Sequence, residues 1–219
     1  ESLVKDNDEK AVKLTKQVEE VKKYIIENKL FHPKALFRFF ECNSDKNDII
    51  IYGDGNSQER FEFERQAANE KLCVADFVAS KDRGKDSIGI FVTTCGQGIV
   101  QESKKLRDKG EYLKSHLIQV LAIEAAEAFA EIVHKKIRDL WGIGDKSLSK
   151  KEILAARYKG VRLSFGYPAC PNLDDQKKVF KLINPAQIGV HLTEGMMMEP
   201  EASVSALVFY HPQGKYFSL

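Results

Sequence analysis

The first hydrophobic pattern in the chain has helical spacing. Between residues 2 and 28, apolar residues recur every three or four positions and are separated by Lys and Glu, which predicts an amphipathic helix. The apolar positions are Ala11, Leu14, Val18, Val21 and Ile25. Asn28 and then Pro33 predict the end of this helix, because proline cannot continue one.

Runs rich in β-branched and aromatic residues come next. Five such runs, separated by short turns, predict an antiparallel or meander-type sheet. They cover residues 35–40, 48–52, 60–64, 72–78 and 87–94. Later strand-like runs cover residues 190–198, 206–210 and 216–218.

A longer helical pattern extends from about residue 101 to residue 141. Its broad apolar face predicts a buried helix that is broken near Gly110, and Gly142 and Gly144 predict its end. The helical and strand patterns together predict an α+β fold in which long helices pack on a sheet, with residues 1–219 as a single unit.

Two shorter helices are predicted after the long one. Ser149 and Glu152 have the spacing of a capping box, which opens a helix that reaches Tyr158. Asp174 or Asp175 caps a second helix, which continues to about residue 183.

Composition narrows the function classes. Of the 219 residues, 43% are hydrophobic and the formal net charge is +2, which fits a globular protein and argues against a basic nucleic-acid interface. No apolar run approaches the roughly 20 residues of a membrane span, and no signal-peptide pattern opens the chain. The four cysteines are widely spaced and are expected to be buried, reduced thiols in a cytoplasmic protein. The chain begins without Met, which suggests a processed chain or a fragment.

Residues 158–171 have the composition of a structured loop that binds a ligand. Gly160 and Gly166 permit backbone angles that other residues resist, and two prolines fix further angles. The guanidinium of Arg162 suits a carboxylate or a phosphate. The ring of Tyr167 suits a cation or a flat ring.

This loop resembles a signature of a known family. Gly-Val-Arg followed by Gly-Tyr-Pro-Ala-Cys-Pro is similar to the activation domain of cobalamin-dependent methionine synthase, which binds S-adenosylmethionine. Further matches in the same order lie at residues 75–79, 126–131, 191–194, 202–205, 211–212 and 215–217. The resemblance covers roughly residues 30–219 and implies an elongated, C-shaped domain with a twisted antiparallel sheet.

The resemblance also implies a ligand site. It places Arg162 at the carboxylate of S-adenosylmethionine, Glu127 at its amino group, and Tyr216 at its adenine ring or sulfonium, with the backbone of Gly166 and Tyr167 beside the ligand. Residue 217 is Phe where the family often has a second Tyr, so the ring remains and the hydroxyl is missing.

The implied function is reactivation of the synthase after its cobalamin has oxidised. The domain would present S-adenosylmethionine for reductive methylation of cob(II)alamin, with a flavodoxin or a reductase as the electron donor. The chain has no corrinoid-binding signature, so cobalamin would be bound by another domain or protein. The isolated chain is expected to lack complete methyltransferase activity, and neither a nucleic acid nor a membrane is an expected partner.

Two departures from the family pattern bear on the site. The family uses an Asp from a segment that precedes the first helix found here, and Asp6 and Asp8 lie in the wrong context to replace it. Ile123 stands at about the position where the family often carries an acid that faces the cobalamin. A diverged docking module for a separate corrinoid protein or reductase, without catalysis, is therefore an alternative interpretation.

Each candidate residue also has a purely structural interpretation. Glu127 and Arg162 could form ion pairs within the protein, and Tyr167 and Tyr216 could be aromatics of the core or its rim. The five histidines are scattered and show no metal-binding spacing. The consecutive methionines at residues 196–198 are better explained by packing than by a metal, since neighbouring strand residues point to opposite faces.

Overall fold

A computed structural model describes residues 9–68, 70–144 and 148–219 of the chain. Asp6 and Asp8, and the part of the predicted first helix before residue 9, lie outside these ranges.

Six strands form one antiparallel sheet: β1 (Lys34–Asp45), β2 (Asp48–Tyr52), β3 (Gln58–Glu62), β4 (Asp86–Thr94), β5 (Val161–Leu163) and β8 (Ser203–Phe209). Their order across the sheet is β3-β2-β1-β4-β8-β5. Two short strands, β6 (His191–Leu192) and β7 (Met198–Glu199), form a separate hairpin. β5 is therefore the strand at one edge of the large sheet.

Five α-helices accompany the sheet in the described ranges. They are α1 (Glu9–Glu27), α2 (Ile99–Asp108), α3 (Tyr112–Leu140), α4 (Lys150–Leu154) and α5 (Gln176–Ile183). The break predicted near Gly110 is confirmed, because Gly110 has a positive φ of 78° and separates α2 from α3. A hydrogen bond of 2.7 Å between the buried hydroxyls of Ser103 and Ser115 joins these two helices.

The sheet divides two hydrophobic cores, and strand pleating decides which residue joins each core. In β4, Ile88, Ile90 and Val92 face a core that also contains α5, while Phe91 faces the core beneath the helices. The helix α3 packs across β4 and β8, and α1 packs on α3. These layers confirm the predicted α+β class with long helices on an antiparallel sheet.

Several predicted elements were wrong in type. Residues 72–78 contain a 3-10 turn at Val74–Phe77, because the Asp76 carboxylate accepts the Cys73 N–H at 2.9 Å and closes the backbone locally. Residues 190–198 form a hairpin with a turn, where Met196 has a positive φ of 61°. Residues 216–218 form no strand.

Two helix ends also differ from the sequence prediction. The capping box of Ser149 and Glu152 is confirmed, but its helix ends at Leu154 instead of Tyr158. Asn172, not Asp174 or Asp175, supplies the capping side chain before α5, by accepting the N–H of Asp174 at 3.1 Å.

All four cysteines are free and buried, as predicted. Burial raises the pKa of the Cys170 thiol to about 12 and also raises that of Cys42, so both thiols stay protonated at neutral pH. In the ranges given above, no helix has the length and apolar character needed to span a membrane.

Candidate ligand-binding cleft

A cleft of about 750 Å³ opens between α3 and the edge strand β5. The helix contributes a row of glutamates, the strand contributes Arg162, and three irregular segments, within residues 156–158, 164–169 and 216–218, complete the lining. Its lining includes Glu124, Glu127, Glu131, Tyr158, Arg162, Ser164, Tyr167, Tyr216 and Phe217. The predicted site residues Glu127, Arg162, Tyr167, Tyr216 and Phe217 therefore share one cleft, although they are far apart in the sequence.

Helical spacing lines up the glutamates. Glu124, Glu127 and Glu131 are separated by three and four residues, which places them on one face of α3. The neighbouring face is buried through Ala126 and Ala130, whose small side chains allow the helix to lie close to the sheet. The glutamates lie beside this buried face and line the cleft next to β5.

Strand alternation directs Arg162 into the same space. Its neighbours Val161 and Leu163 are buried in the core, so the Arg162 side chain leaves the other face of β5. One guanidinium nitrogen, Nη2, donates a long hydrogen bond of 3.4 Å to Glu127 Oε2, and Nε lies 3.7 Å from Glu131 Oε2. The side chain is only 17% exposed, so these charges interact with limited screening by water.

A second charged layer lies directly behind this pair. The guanidinium of Arg138 is 1% exposed, lies 3.7 Å from Glu131, and stacks on the ring of Tyr158 at 3.8 Å. The hydroxyl of Tyr158 donates to Glu131 at 3.4 Å. Glu131 thus stands between two guanidiniums, and burial raises the pKa of Tyr158, with a further contribution from its contact with Tyr216.

His134 completes this layer as a neutral side chain. It is fully buried, with its ring packed edge-on against Tyr158 and its Nδ1 4.0 Å from Glu131. Burial, and then the nearby cations of Arg138 and Arg162, lower the pKa of His134 to about 2. In the described part of the chain, neither ring nitrogen has a hydrogen-bond partner, and the same holds for Nε of Arg138 and of Arg162.

Four residues at this site were not predicted from the sequence: Glu131, His134, Arg138 and Tyr158. The usable signal was their spacing on the long helix: Glu131, His134 and Arg138 follow Glu127 at intervals of three or four residues. Nothing local in the sequence indicated that Tyr158 would lie against them.

The neutral state of His134 predicts an acid-sensitive stability. The unfolded chain gains a proton at this residue below pH 6.5, whereas the folded chain resists it down to about pH 2, so unfolding becomes easier as the pH falls through this window. We expect His134 to lower the free energy of unfolding by about 1.4 kcal/mol for each pH unit below 6.5.

Urea denaturation at about pH 7.0 and about pH 5.5 checks this expectation, because these two conditions lie on either side of the ordinary pKa of histidine. His134→Asn should flatten the slope between them, and His116→Asn, on the exposed part of the same helix, should keep the wild-type slope. A His134→Asn protein with an unchanged slope would contradict the prediction.

The turn at Gly166 positions the ring of Tyr167. Gly166 has a φ of 85°, and a Cβ there would lie 3.1 Å from Leu173. Its N–H donates to the Cys170 carbonyl at 2.8 Å, and the Cys170 N–H donates back to the Tyr167 carbonyl at 2.8 Å. This closed turn leaves the Tyr167 ring exposed at the rim of the cleft. Gly166 shapes the turn but is not among the lining residues.

Tyr216 and Phe217 form the opposite side. The Tyr216 hydroxyl lies 3.5 Å from that of Tyr158, and its ring is half exposed. The ring of Phe217 packs edge-on against Phe77, with 6.1 Å between their centroids. Both residues reach the cleft without belonging to a strand.

A neighbouring cleft of about 530 Å³ shares Glu127, Ser164 and Tyr167 with the first one. Its far side includes Met197 and Met198, so these methionines line a surface groove. Ile123 is exposed on α3. Over the described ranges, no group of three or more His, Cys, Asp and Glu side chains is arranged to hold a metal ion.

Comparisons with known proteins agree on one family. The family described as vitamin B12 dependent methionine synthase, activation domain, matches residues 2–219. The chain is 33% identical over 206 residues to a methionine synthase of Mycobacterium tuberculosis and 32% identical to that of Mycobacterium leprae. Each alignment covers 87% of this chain but only 17% of the relative. The chain thus spans less than a fifth of the length of these relatives.

A solved structure shows the same fold. The crystal structure of the MetH reactivation domain bound to AdoHcy superimposes with a TM-score of 0.87 at 30% sequence identity, covering 95% of this chain and 68% of that one.

Proposed function

Because the chain belongs to the family of activation domains of vitamin B12-dependent methionine synthase, we propose that it binds S-adenosylmethionine in the cleft between α3 and β5. In doing so it supports the reductive methylation of cob(II)alamin that returns the synthase, a methyltransferase that makes methionine from homocysteine, to its active state. We propose that residues 1–219 act as a single unit in this role.

The observation that supports this proposal most is the guanidinium of Arg162, framed by glutamates in a cleft that has tyrosine rings on two sides. S-adenosylmethionine carries a carboxylate, an ammonium, a sulfonium and an adenine ring. A guanidinium suits the carboxylate, a glutamate suits the ammonium, and the faces of Tyr167 and Tyr216 suit the sulfonium or the ring. The AdoHcy in the similar solved domain is the demethylated form of the same ligand.

The two ion pairs of Arg162 have different strengths, which suggests how the ligand enters. Glu127 is 42% exposed and its bond to Arg162 is long, so this pair costs little to break. Glu131 is 23% exposed and also serves Arg138. The ligand carboxylate would therefore replace Glu127 at Arg162 and leave Glu127 free for the ligand ammonium.

The remaining side chains favour orientation over proton transfer. Tyr158 keeps its proton because its pKa is raised, and His134 is fully buried with a pKa lowered to about 2, so neither side chain is suited to act as a general base at neutral pH. S-adenosylmethionine supplies a methyl group on a cationic sulfur. The contribution of Arg162, Glu127 and the tyrosines is to hold that sulfur in one orientation. A fixed orientation lowers the barrier to methyl transfer, because the ligand's binding energy has already offset the entropy of alignment.

The partners form part of the same proposal. Cobalamin would be held by another domain or protein, since the chain corresponds to only 17% of its full-length relatives. A cobalamin-binding domain of methionine synthase would dock at the cleft, and a flavodoxin or a reductase would supply the electron, in the cytoplasm.

Isothermal titration of S-adenosylmethionine into this chain tests the proposal. We expect saturable binding, and weaker binding of methylthioadenosine, which keeps the adenine and sulfur but lacks the amino-acid part that Arg162 and Glu127 would hold. Absence of binding would overturn the proposal and favour a docking module without ligand. Equal affinity for both compounds would overturn the assignment of Arg162 and Glu127.

A further inference from the structure

Residues 211–219, called the strap below, follow β8 and belong to neither a helix nor a strand. The chain turns where the Gly214 N–H donates to the His211 carbonyl at 2.9 Å. Between described residues, no backbone–backbone hydrogen bond involves residues 215–219. Side chains from elsewhere in the fold must therefore hold this part of the strap in place.

Gln66 is one of these side chains. Its amide is nearly buried, and Oε1 accepts the Leu72 N–H at 3.0 Å while the Gln66 N–H donates to the Leu72 carbonyl at 2.9 Å. The remaining polar atom, Nε2, donates to the carbonyl of Ser218. A single buried amide thus joins the loop after β3 to the strap, and loss of this amide would leave two backbone groups without their partner.

Phe77 is the other main contact of the strap. Its buried ring packs against His211 at 5.9 Å and against Phe217 at 6.1 Å, measured between ring centroids. The turn that presents this ring is fixed by Asp76, which accepts two hydrogen bonds of 2.7 Å from Arg65. Residues 75–79, a motif that ligand chemistry alone did not explain, therefore supply a contact for the strap through Phe77.

An outer ion pair adds little to this attachment. Lys215 pairs with both oxygens of Glu70 at 2.6 Å, but both side chains are largely exposed, and such pairs contribute little in water. Residues 211–215 also line a cleft of about 520 Å³. The strap is thus held mainly at Gln66 and Phe77.

The strap delivers two aromatic rings to the cleft. Phe217 faces Phe77 and the core, while the preceding residue, Tyr216, reaches Tyr158 at the cleft. We propose that Gln66 and Phe77 are positioning residues for ligand binding, because they hold the strap in the conformation that places Tyr216 in the cleft. This inference rests on the proposed binding of S-adenosylmethionine there.

Release of the strap lowers the apparent affinity for the ligand, because only the molecules with a docked strap can bind it. If the docked conformation is present only a fraction of the time, the apparent dissociation constant rises by the inverse of that fraction. A variant that leaves the strap docked about a tenth of the time should therefore bind about tenfold more weakly, without any change to Arg162 or Glu127.

Gln66→Leu and Phe77→Leu test the inference by two measurements on the 219-residue chain. Trypsin should cleave both variants faster than the wild type after Lys215 in the absence of ligand, because a released strap is open to the protease and a docked strap is not. Titration should show S-adenosylmethionine binding about tenfold weaker, with the affinity ratio of S-adenosylmethionine to its decarboxylated analogue unchanged, since that ratio reports the Arg162 contact.

Two control variants separate positioning from loss of stability. Phe91→Leu removes a buried ring from the other core, and Gln187→Leu changes an exposed glutamine in the 3-10 turn before β6. Both should keep wild-type affinity and the wild-type rate of tryptic cleavage after Lys215. Phe91→Leu also shows whether a destabilised core alone weakens binding.

The outcomes distinguish this inference from the proposed function. A wild-type chain that binds no S-adenosylmethionine overturns the proposed function and, with it, the inference. A wild-type chain that binds, together with Gln66→Leu and Phe77→Leu proteins that bind equally well, overturns the inference alone. Equal weakening by Phe91→Leu also overturns it, because the effect would then follow stability and not the strap.

Discussion

Replacement of Arg162 with Ala is expected to weaken the binding of S-adenosylmethionine by about 3 kcal/mol, or roughly a hundredfold in the dissociation constant. The guanidinium is mostly shielded from water, so its bond to a ligand carboxylate would be stronger than that of a surface pair. The change also leaves Glu127 and Glu131 facing the ligand carboxylate without a cation between them. Isothermal titration of the wild type and the variant measures the difference.

Arg60→Ala is the matched control for this experiment. Arg60 also lies in a strand and pairs with two carboxylates, Asp45 and Asp48, but it is on the far edge strand of the sheet. It should leave the affinity unchanged. Decarboxylated S-adenosylmethionine adds a second control, since Arg162→Ala should hardly affect its binding. Equal losses for both ligands would show that Arg162 does not contact the carboxylate.

Replacement of Glu131 with Gln is expected to lower the free energy of unfolding by about 3 kcal/mol. Among the described residues, only the Glu131 carboxylate lies within 4.0 Å of the Arg138 guanidinium. This guanidinium is fully buried and always charged. The isosteric amide keeps the shape but removes the charge, so Arg138 would remain buried without a counter-ion. Urea denaturation at neutral pH measures the loss.

A double variant identifies the cause of this loss. Arg138→Met removes the buried charge that Glu131→Gln leaves without a counter-ion. The double variant should therefore be more stable than Glu131→Gln alone. Glu124→Gln, on the exposed part of the same helix face, should change stability by less than about 0.5 kcal/mol. A Glu131→Gln protein as stable as the Glu124→Gln protein would contradict the assigned role of the buried pair.

Arg162 shows which features of the site could be predicted from a sequence motif and side-chain chemistry. The family resemblance, together with the guanidinium chemistry of Arg162, selected residues that do lie around one cleft. Their roles toward the ligand stay predictions. The structural alternative, in which Glu127 and Arg162 pair with each other, is what the structure shows, and the two interpretations are compatible because the pair is long and Glu127 is partly exposed.

Sequence patterns could not predict the charged layer next to Arg162. Glu131 resembles any glutamate on an amphipathic helix, and His134 and Arg138 resemble its polar face. Their burial follows from Tyr158, which lies on the segment between α4 and β5 and covers them. Residues 216–218 were wrongly predicted as a strand, since an extended apolar segment has the same pattern whether a sheet or side chains such as Gln66 hold it.

Local physics explains what the sequence by itself determined. The apolar period of 3.6 residues specified α1 and α3, and runs of β-branched and aromatic residues specified most strands of the sheet. The Ser149–Glu152 capping box specified the start of α4, and each of these signals depends on neighbours a few residues away. The tertiary structure alone decided that Glu131 lies between two guanidiniums, that His134 stays neutral, and that the strap reaches the cleft. These features depend on contacts between distant segments, which come together because α3 packs on β4 and β8 beside the edge strand β5.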